Sequence, residues 1–186
     1  MKRFQCRCGA PIFFDNHQCL QCGARVGFDP QSMSMVPAEE HADLAYCGNH
    51  DHGVCNWLRP AESEDDLCHA CQFNRTIPNL DLPHNTERWA ALERAKKRLF
   101  YSLYQLGLPV ADGWQAGTQG LLFDFLDDAR TQPETYPDTY ITSGFAEGVI
   151  TINVLEADDV ARTATQAELR ERYRTLLGHF RHESGH

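Results

Sequence analysis

The chain has 186 residues, of which 42% are hydrophobic and 23% are charged, and its formal net charge is −9 at pH 7. This composition is typical of a globular protein with one or two domains, and it excludes collagen-like and low-complexity proteins. No apolar run approaches the ~20 residues that a membrane-spanning helix needs, and no apolar segment follows the basic residues at the amino terminus. We therefore expect a soluble cytoplasmic protein with no membrane partner, and the negative charge also argues against nucleic acid as a partner.

All eight cysteines lie within the first 71 residues, in two groups of four. The first group combines a Cys-x-Cys with a Cys-x-x-Cys motif, and the second combines two separated cysteines with a Cys-x-x-Cys motif. Because we expect a reducing compartment, metal binding is favoured over disulfide formation, and four sulfurs complete a tetrahedral zinc site. We predict two structural zinc ions, one bound by Cys6, Cys8, Cys19 and Cys22 and the other by Cys47, Cys55, Cys68 and Cys71.

The ligand set of the second group has alternatives, because His50, His52 and His69 lie close enough in sequence to replace a cysteine. Four sulfurs remain the preferred set, since no thiol is then left over. Each zinc ion would hold together a segment that is too short to build its own core. The alternative is that the zinc modules form a recognition surface for a protein or a nucleic acid.

In chain order, the patterns predict a zinc ribbon over 1–28 with a strand at 11–14, a linker over 29–43, a second four-cysteine module over 44–78, and a third domain over 84–186. This third domain should begin with a long helix from Thr86 to about Gly107, with Trp89 buried and with Arg88 and the charged residues from Glu93 to Arg98 facing solvent. Strands are predicted at 121–126, 139–142 and 148–154. The sequence thus favours small zinc modules followed by a larger mixed domain.

A final helix is predicted to begin near Thr165, with a buried stripe formed by Leu169, Tyr173, Leu176, Leu177 and Phe180. It ends in a His-Glu-x-x-His motif, and residues four apart share a helix face, so His182 and His186 can bind one zinc ion. Zinc lowers the pKa of a bound water to about 7, and Glu183 can take its proton and return it to a departing amine. The pattern therefore indicates amide hydrolysis.

His179 lies on the same stripe as the motif and is a further candidate ligand. Its rise along the helix to His186 is about 10.5 Å at 1.5 Å per residue, which is too long for three imidazoles to meet at one ion. We therefore expect His179 to pack beside the metal site or to support it.

Together these motifs resemble those of the bacterial zinc-binding metallopeptidases that carry an amino-terminal zinc-ribbon domain. The resemblance is carried by residues 4–9, 19–23, 55–58, 68–71, 74–78, 123–126, 148–153, 156–158 and 178–186. It implies an α+β fold, in which two zinc-ribbon-like modules precede a zincin-like domain with His182 and His186 as zinc ligands and Glu183 as the catalytic base. It also implies that the strand at 149–154 packs near this helix, and by analogy with zincins this strand is the expected edge for pairing with a peptide substrate.

The sequence departs from this family at its end, because the third zinc ligand is expected beyond His186. Catalytic zinc usually has three protein ligands and one water. We therefore expect a zincin-like domain truncated at its active-site helix, with two structural zinc ions and a weak or empty catalytic site. Two functions remain: a zinc-dependent peptidase acting on a peptide or protein substrate, and a zinc-ribbon binding module whose last helix is only a scaffold.

Overall fold

The computed structural model describes residues 3–168, 170 and 175–185. The predicted ligand His186 lies outside these residues, as do Leu169 and Tyr173 of the predicted stripe. The chain divides into two compact units, residues 1–71 and 72–186. None of the helices in the described part is both long enough and apolar enough to cross a bilayer.

The first unit consists of three small antiparallel hairpins. Their strands are β1 (Phe4–Gln5) with β2 (Pro11–Ile12), β3 (Val26–Asp29) with β4 (Ser34–Pro37), and β5 (Leu44–Tyr46) with β6 (Leu58–Pro60). The predicted linker over 29–43 is therefore wrong in its middle, where β4 alternates buried and half-buried residues against β3. Packed rings form the core, with Phe28 4.8 Å from Trp57 and 4.9 Å from Phe14 between centroids.

In its described residues, the second unit combines four α-helices with one mixed sheet. The helices are α1 (Asn85–Gln105), α2 (Gly113–Ala116), α3 (Asp159–Glu168) and α4 (Leu176–Glu183). The sheet has the order β7-β8-β10-β9, built from β7 (Asn74–Thr76), β8 (Leu122–Leu126), β9 (Gly144–Ala146) and β10 (Val149–Asn153). Strands β7, β8 and β10 are parallel, whereas β9 is antiparallel to β10. The predicted α+β class is confirmed. The segment 44–78, which was predicted as the second four-cysteine module, includes β7 and so contributes a strand to this sheet.

The strands predicted at 121–126 and 148–154 are confirmed, but the one predicted at 139–142 is wrong. The antiparallel partner of β10 is β9, and the turn between them is formed by Glu147 and Gly148. Both residues have positive φ angles, 50° and 84°, as a two-residue hairpin of type I′ requires. The polar run at 139–142 instead lies in the connection that leads into β9.

The charged segment of α1 faces solvent only in part: Arg94 is exposed as predicted, whereas Glu93, Lys96 and Lys97 are buried. Glu93 and Lys96 are fully buried, and the Lys96 ammonium lies 2.9 Å from the Glu93 carboxylate. Asn74 Nδ2 and Trp89 Nε1 also donate to this carboxylate, at 2.7 and 3.2 Å. Buried charges are tolerated when such partners replace water; Trp89 and Lys96 lie on α1 itself, whereas Asn74 comes from β7. The prediction that Trp89 is buried is confirmed.

The final predicted helix is two helices rather than one. Thr165 is not a cap but lies inside α3, where its hydroxyl donates to the Ala161 carbonyl at 3.1 Å. After α3, Arg170 has a φ of +54°, which is outside the helical region. A new helix begins after Thr175, whose Oγ1 accepts from the Gly178 amide at 3.1 Å. The first two motif residues, His182 and Glu183, therefore lie at the end of a short helix with its own N-cap, and Ser184 and Gly185 follow in a turn.

Candidate functional site

The first cysteine cluster lies in the two turns that bracket β2. Cys6 and Cys22 have their sulfurs 3.6 Å apart, Cys8 and Cys19 have theirs 3.7 Å apart, and all four sulfurs lie within 4.8 Å of one another. Tetrahedral zinc with Zn–S bonds of 2.3 Å places its sulfurs about 3.8 Å apart. The spacing of the cluster therefore fits a zinc ion.

Backbone amides in the same turns favour the thiolate form that zinc requires. The amides of Cys22 and Gln21 donate toward the Cys19 sulfur and lower the pKa of this thiol to about 6. Cys6 and Cys19 are buried, whereas Cys8 and Cys22 are exposed. One side of this cluster is therefore open to solvent.

The second cluster differs in that all four cysteines are buried. The sulfurs of Cys47, Cys55, Cys68 and Cys71 lie within 4.8 Å of one another, and the Cys55 and Cys68 sulfurs are 3.7 Å apart. The Trp57 amide donates to the Cys55 sulfur at 3.4 Å, and the Cys68 amide donates to the Cys47 sulfur at 3.3 Å. These four sulfurs also fit tetrahedral zinc, in a closed site with no position for water.

The histidines that compete for this site in sequence do not join it. His50 is turned away, with Nδ1 3.0 Å from the Cys55 carbonyl oxygen and its ring stacked on Tyr46 at 4.1 Å. Within residues 3–168, 170 and 175–185, the metal-ligand groups are the two cysteine clusters, and neither includes His52 or His69. The sulfur-only ligand set is therefore the one that the geometry favours.

A cleft of about 880 Å³ lies in the second unit beside α4. Helix α4 is anchored by Phe180, whose ring packs 5.7 Å from Phe123 and 6.1 Å from Phe125 on the sheet. The cleft is lined on the helical side by residues of α3 and α4, and on the other side by residues 141–143 and the end of β10. His182 and Glu183 both line this cleft, so the fold brings two of the three predicted motif residues to one cavity.

The two described motif residues differ in environment. Glu183 is buried, whereas His182 is exposed, and Glu183 Oε1 lies 3.2 Å from His179 Nε2 one helical turn earlier. Because His186 lies outside the described residues, the structure describes one of the two predicted histidine ligands. The imidazole of His182 is a common type of zinc ligand, and the neighbouring Glu183 brings a carboxylate to the same cleft.

Strand β10 is not the sheet edge that was expected for substrate pairing. It is paired with β8 on one side and β9 on the other, so β9 is the edge strand. Next to β9, the backbone amide of Asn153 at the end of β10 donates to Ser143 Oγ at 2.9 Å. The segment that precedes β9 therefore lies against the end of β10. The end of β10 nevertheless lies near α4, as expected, since Asn153 lines the same cleft as His182 and Glu183.

A buried carboxylate that the sequence motifs do not indicate, Asp128, contacts three residues that line the cleft. Asp128 is fully buried and accepts from the Arg130 and Ile141 amides at 2.9 and 3.0 Å and from Asn153 Nδ2 at 2.6 Å. Burial alone would raise the pKa of Asp128, but hydrogen bonds from the Arg130 side chain and these amides lower it below its usual value. Arg130 is a near neighbour in sequence, but Ile141 and Asn153 reach Asp128 only through the fold, and no local pattern marks them as partners.

Two family models match the chain. One, described as "Putative zinc-binding metallo-peptidase", matches residues 85–186, and a zinc-ribbon domain model matches residues 3–82. No solved structure matches.

Three mycobacterial relatives, each named only as an uncharacterized protein, match over the whole length of the chain. One is from Mycobacterium bovis and two are from strains of Mycobacterium tuberculosis, and each is 37% identical over 187 residues. The match covers 52% of each relative, so the chain spans about half the length of the curated relatives it matches. With the family model covering more than half of its residues, the chain belongs to this bacterial zinc-binding metallo-peptidase family and carries a zinc-ribbon domain before the peptidase region.

Proposed function

We propose that the second unit carries part of a zinc-dependent peptidase site, with His182 and His186 as metal ligands and Glu183 as the general base. The observation that supports it is the shared cleft of about 880 Å³, which His182 and Glu183 both line. A cavity of this size can admit a short stretch of peptide. Zinc in such a site supplies Lewis-acid chemistry that activates water and polarises the carbonyl group.

Glu183 has the environment that a general base needs. It is buried, and within the described part of the chain its one ionic or hydrogen-bonded neighbour is His179, at Oε1. The second carboxylate oxygen therefore remains able to accept a proton from water and return it to the departing amine. We propose a peptide or protein substrate that lies along the wall formed by residues 141–143.

We propose that the eight cysteines bind two structural zinc ions, as the sulfur spacing supports. All eight are free thiols rather than disulfides. Such usage is typical of reducing compartments, and we therefore propose that the protein acts in the cytoplasm.

Metal counting and a hydrolysis assay test this function. We expect two tightly bound zinc ions per chain and a weaker third ion that binds when zinc is added. Replacement of His182 by Ala should remove the third ion, whereas Glu183→Gln should keep it and abolish hydrolysis of unfolded casein. If Glu183→Gln left hydrolysis unchanged, or if His182→Ala left the third ion in place, these roles would be wrong. If the zinc-loaded chain cleaved nothing, it would not be a peptidase by itself, and the zinc-ribbon binding module would be the better description.

A further inference from the structure

We propose that His179, supported by Glu156, is a positioning residue that holds the Glu183 carboxylate in the cleft. The proposal rests on the proposed function, since it concerns the residue that we assign as the general base. His179 is not part of the His-Glu-x-x-His motif, and Glu156 lies outside α4 altogether, in the 3₁₀ turn Val154–Ala157 that follows β10. The inference therefore links the end of the sheet to the proposed base.

The geometry places one imidazole ring between two carboxylates. His179 Nε2 lies 3.2 Å from Glu183 Oε1, and Nδ1 lies 3.8 Å from Glu156 Oε2. The side chains of His179, Glu156 and Glu183 are only 12%, 11% and 9% exposed. The Nδ1 atom is buried and has no hydrogen-bond partner in the described structure, so Glu156 is the group nearest to satisfying it. With a proton on each ring nitrogen, the imidazolium can bridge the two carboxylates, since a neutral ring donates from one nitrogen alone.

Glu156 is itself held firmly by its surroundings. Asn153 caps its 3₁₀ turn by accepting from the Leu155 amide at 2.9 Å, and Arg162 Nη1 donates to the Glu156 carbonyl at 2.8 Å. The carboxylate of Glu156 also lies close enough to Arg130 to contribute to the raised pKa of that guanidinium, after the larger contribution of Asp128. The bridge therefore begins at a residue that the sheet and α3 fix in place.

The base needs such a support because of its place in the helix. Glu183 is the last residue of α4, where the helix ends and its carbonyl groups lose their partners. A glutamate there has several rotamers, and a base misplaced by about 1 Å can lose about 100-fold in rate. With Oε1 held by His179, the carboxylate presents its other oxygen to the cleft. His179 is thus placed to orient Glu183 rather than to bind the metal.

The first test is spectroscopic and needs no hydrolysis. Long-range ¹H–¹⁵N correlation spectra report the two ring nitrogens of His179, and the His179→Gln variant identifies its resonances. We expect Glu183→Gln to shift Nε2 and Glu156→Gln to shift Nδ1, both by more than the matched exposed substitution Glu134→Gln. If neither substitution shifts the ring nitrogens more than this control does, the bridge does not exist.

The second test compares two substitutions of His179 by zinc content and kinetics. His179→Phe keeps a ring but removes both nitrogens, whereas His179→Gln keeps a polar group that can contact Glu183. We expect His179→Phe to lower kcat by about 10- to 100-fold with little change in KM, and His179→Gln to recover part of the loss. Zinc content and the melting temperature report whether both variants remain folded.

Three outcomes would overturn the proposal. Loss of the third zinc ion in His179→Phe would make His179 a ligand, and equal kinetic losses in both variants would make it a packing residue. A loss expressed in KM rather than in kcat would also contradict a role at the base. If the wild-type chain hydrolyses nothing but the Glu183→Gln and Glu156→Gln shifts are present, the proposed function fails while the bridge stands.

Discussion

Asp128 offers the sharpest test of how the cleft is built. Its side chain is fully buried and forms an ion pair with Arg130, and it also accepts from the Ile141 amide at 3.0 Å and from Asn153 Nδ2 at 2.6 Å. The substitution Asp128→Asn keeps the shape of the side chain but removes its charge. It also places an amide NH₂ group among neighbours that are all donors.

The expected loss in the free energy of unfolding can be worked out from the groups that Asp128→Asn leaves without a partner, which are the Arg130 guanidinium and the new side-chain NH₂. Breaking a buried ion pair by removing one member costs about 3–5 kcal/mol, and a buried donor left without an acceptor costs about 1–3 kcal/mol. The Arg130 side chain is 51% exposed and can regain water, which offsets part of the first cost. We therefore expect a loss of about 3–5 kcal/mol in the free energy of unfolding of the second unit, which corresponds to about 10–20 °C in its melting temperature.

Thermal unfolding followed by near-ultraviolet circular dichroism measures this loss. The matched control is Asp159→Asn, because Asp159 also pairs with an arginine, Arg162, but its side chain is 89% exposed, and exposed pairs contribute about 0–1 kcal/mol. Zinc content should stay the same in both variants, since Asp128 is not part of either cysteine cluster. If Asp128→Asn and Asp159→Asn melted within about 3 °C of each other, the reasoning on the buried carboxylate would be wrong.

Three further predictions concern pH, a glycine and a cysteine. Folding lowers the pKa of Asp128, so the ionised carboxylate stabilises the protein above its unfolded pKa of about 3.9, and this stabilisation is lost as the pH falls through the lower folded pKa. In an acid titration, the free energy of unfolding of Asp128→Ala should therefore fall less steeply below about pH 4 than that of the wild-type chain. Gly148→Ala should lower the melting temperature, because Gly148 has a φ of +84° and an added Cβ would lie 2.6 Å from the Gly120 carbonyl oxygen; an unchanged melting temperature would contradict this. Cys55→Ser should lower the zinc count by one ion and unfold much of the first unit, since zinc binding contributes about 10–16 kcal/mol in small zinc domains. Elemental analysis measures the zinc and limited proteolysis measures the unfolding; a variant that kept both zinc ions and resisted proteolysis would contradict this prediction.

Sequence patterns predicted well those features that depend on neighbours along the chain. The strands at 121–126 and 148–154 follow from continuous runs of apolar and β-branched residues, and α1 ends at Gln105, close to the predicted stop at Gly107. The gathering of eight sulfurs into two clusters also follows from spacing within short turns. The strands and the helix end depend on residues that are neighbours in sequence, whereas each sulfur cluster joins cysteines that are 11–21 residues apart but marked by their residue type.

Predictions failed where the deciding partner is far away in sequence. Lys96 was expected to face solvent because charged residues usually do, but its ammonium group donates to Asn74 Oδ1 and lies 5.6 and 5.7 Å from the ring centroids of Phe123 and Phe125, all distant in sequence. The capping residue before the motif helix is Thr175 rather than Thr165, because the chain interrupts the helical pattern between them. Helical periodicity alone does not show where one helix ends and another begins.

For the candidate site, the sequence by itself determined which residues could serve as metal ligands and as a base, because the motif requires only that residues three and four apart share a helix face. The tertiary structure alone decided what surrounds them. Glu156 lies beside His179, β9 is an edge strand of the sheet, and the segment before β9 contacts the end of β10. Such placements depend on how strands and helices pack across long sequence separations, and no spacing within one segment encodes them.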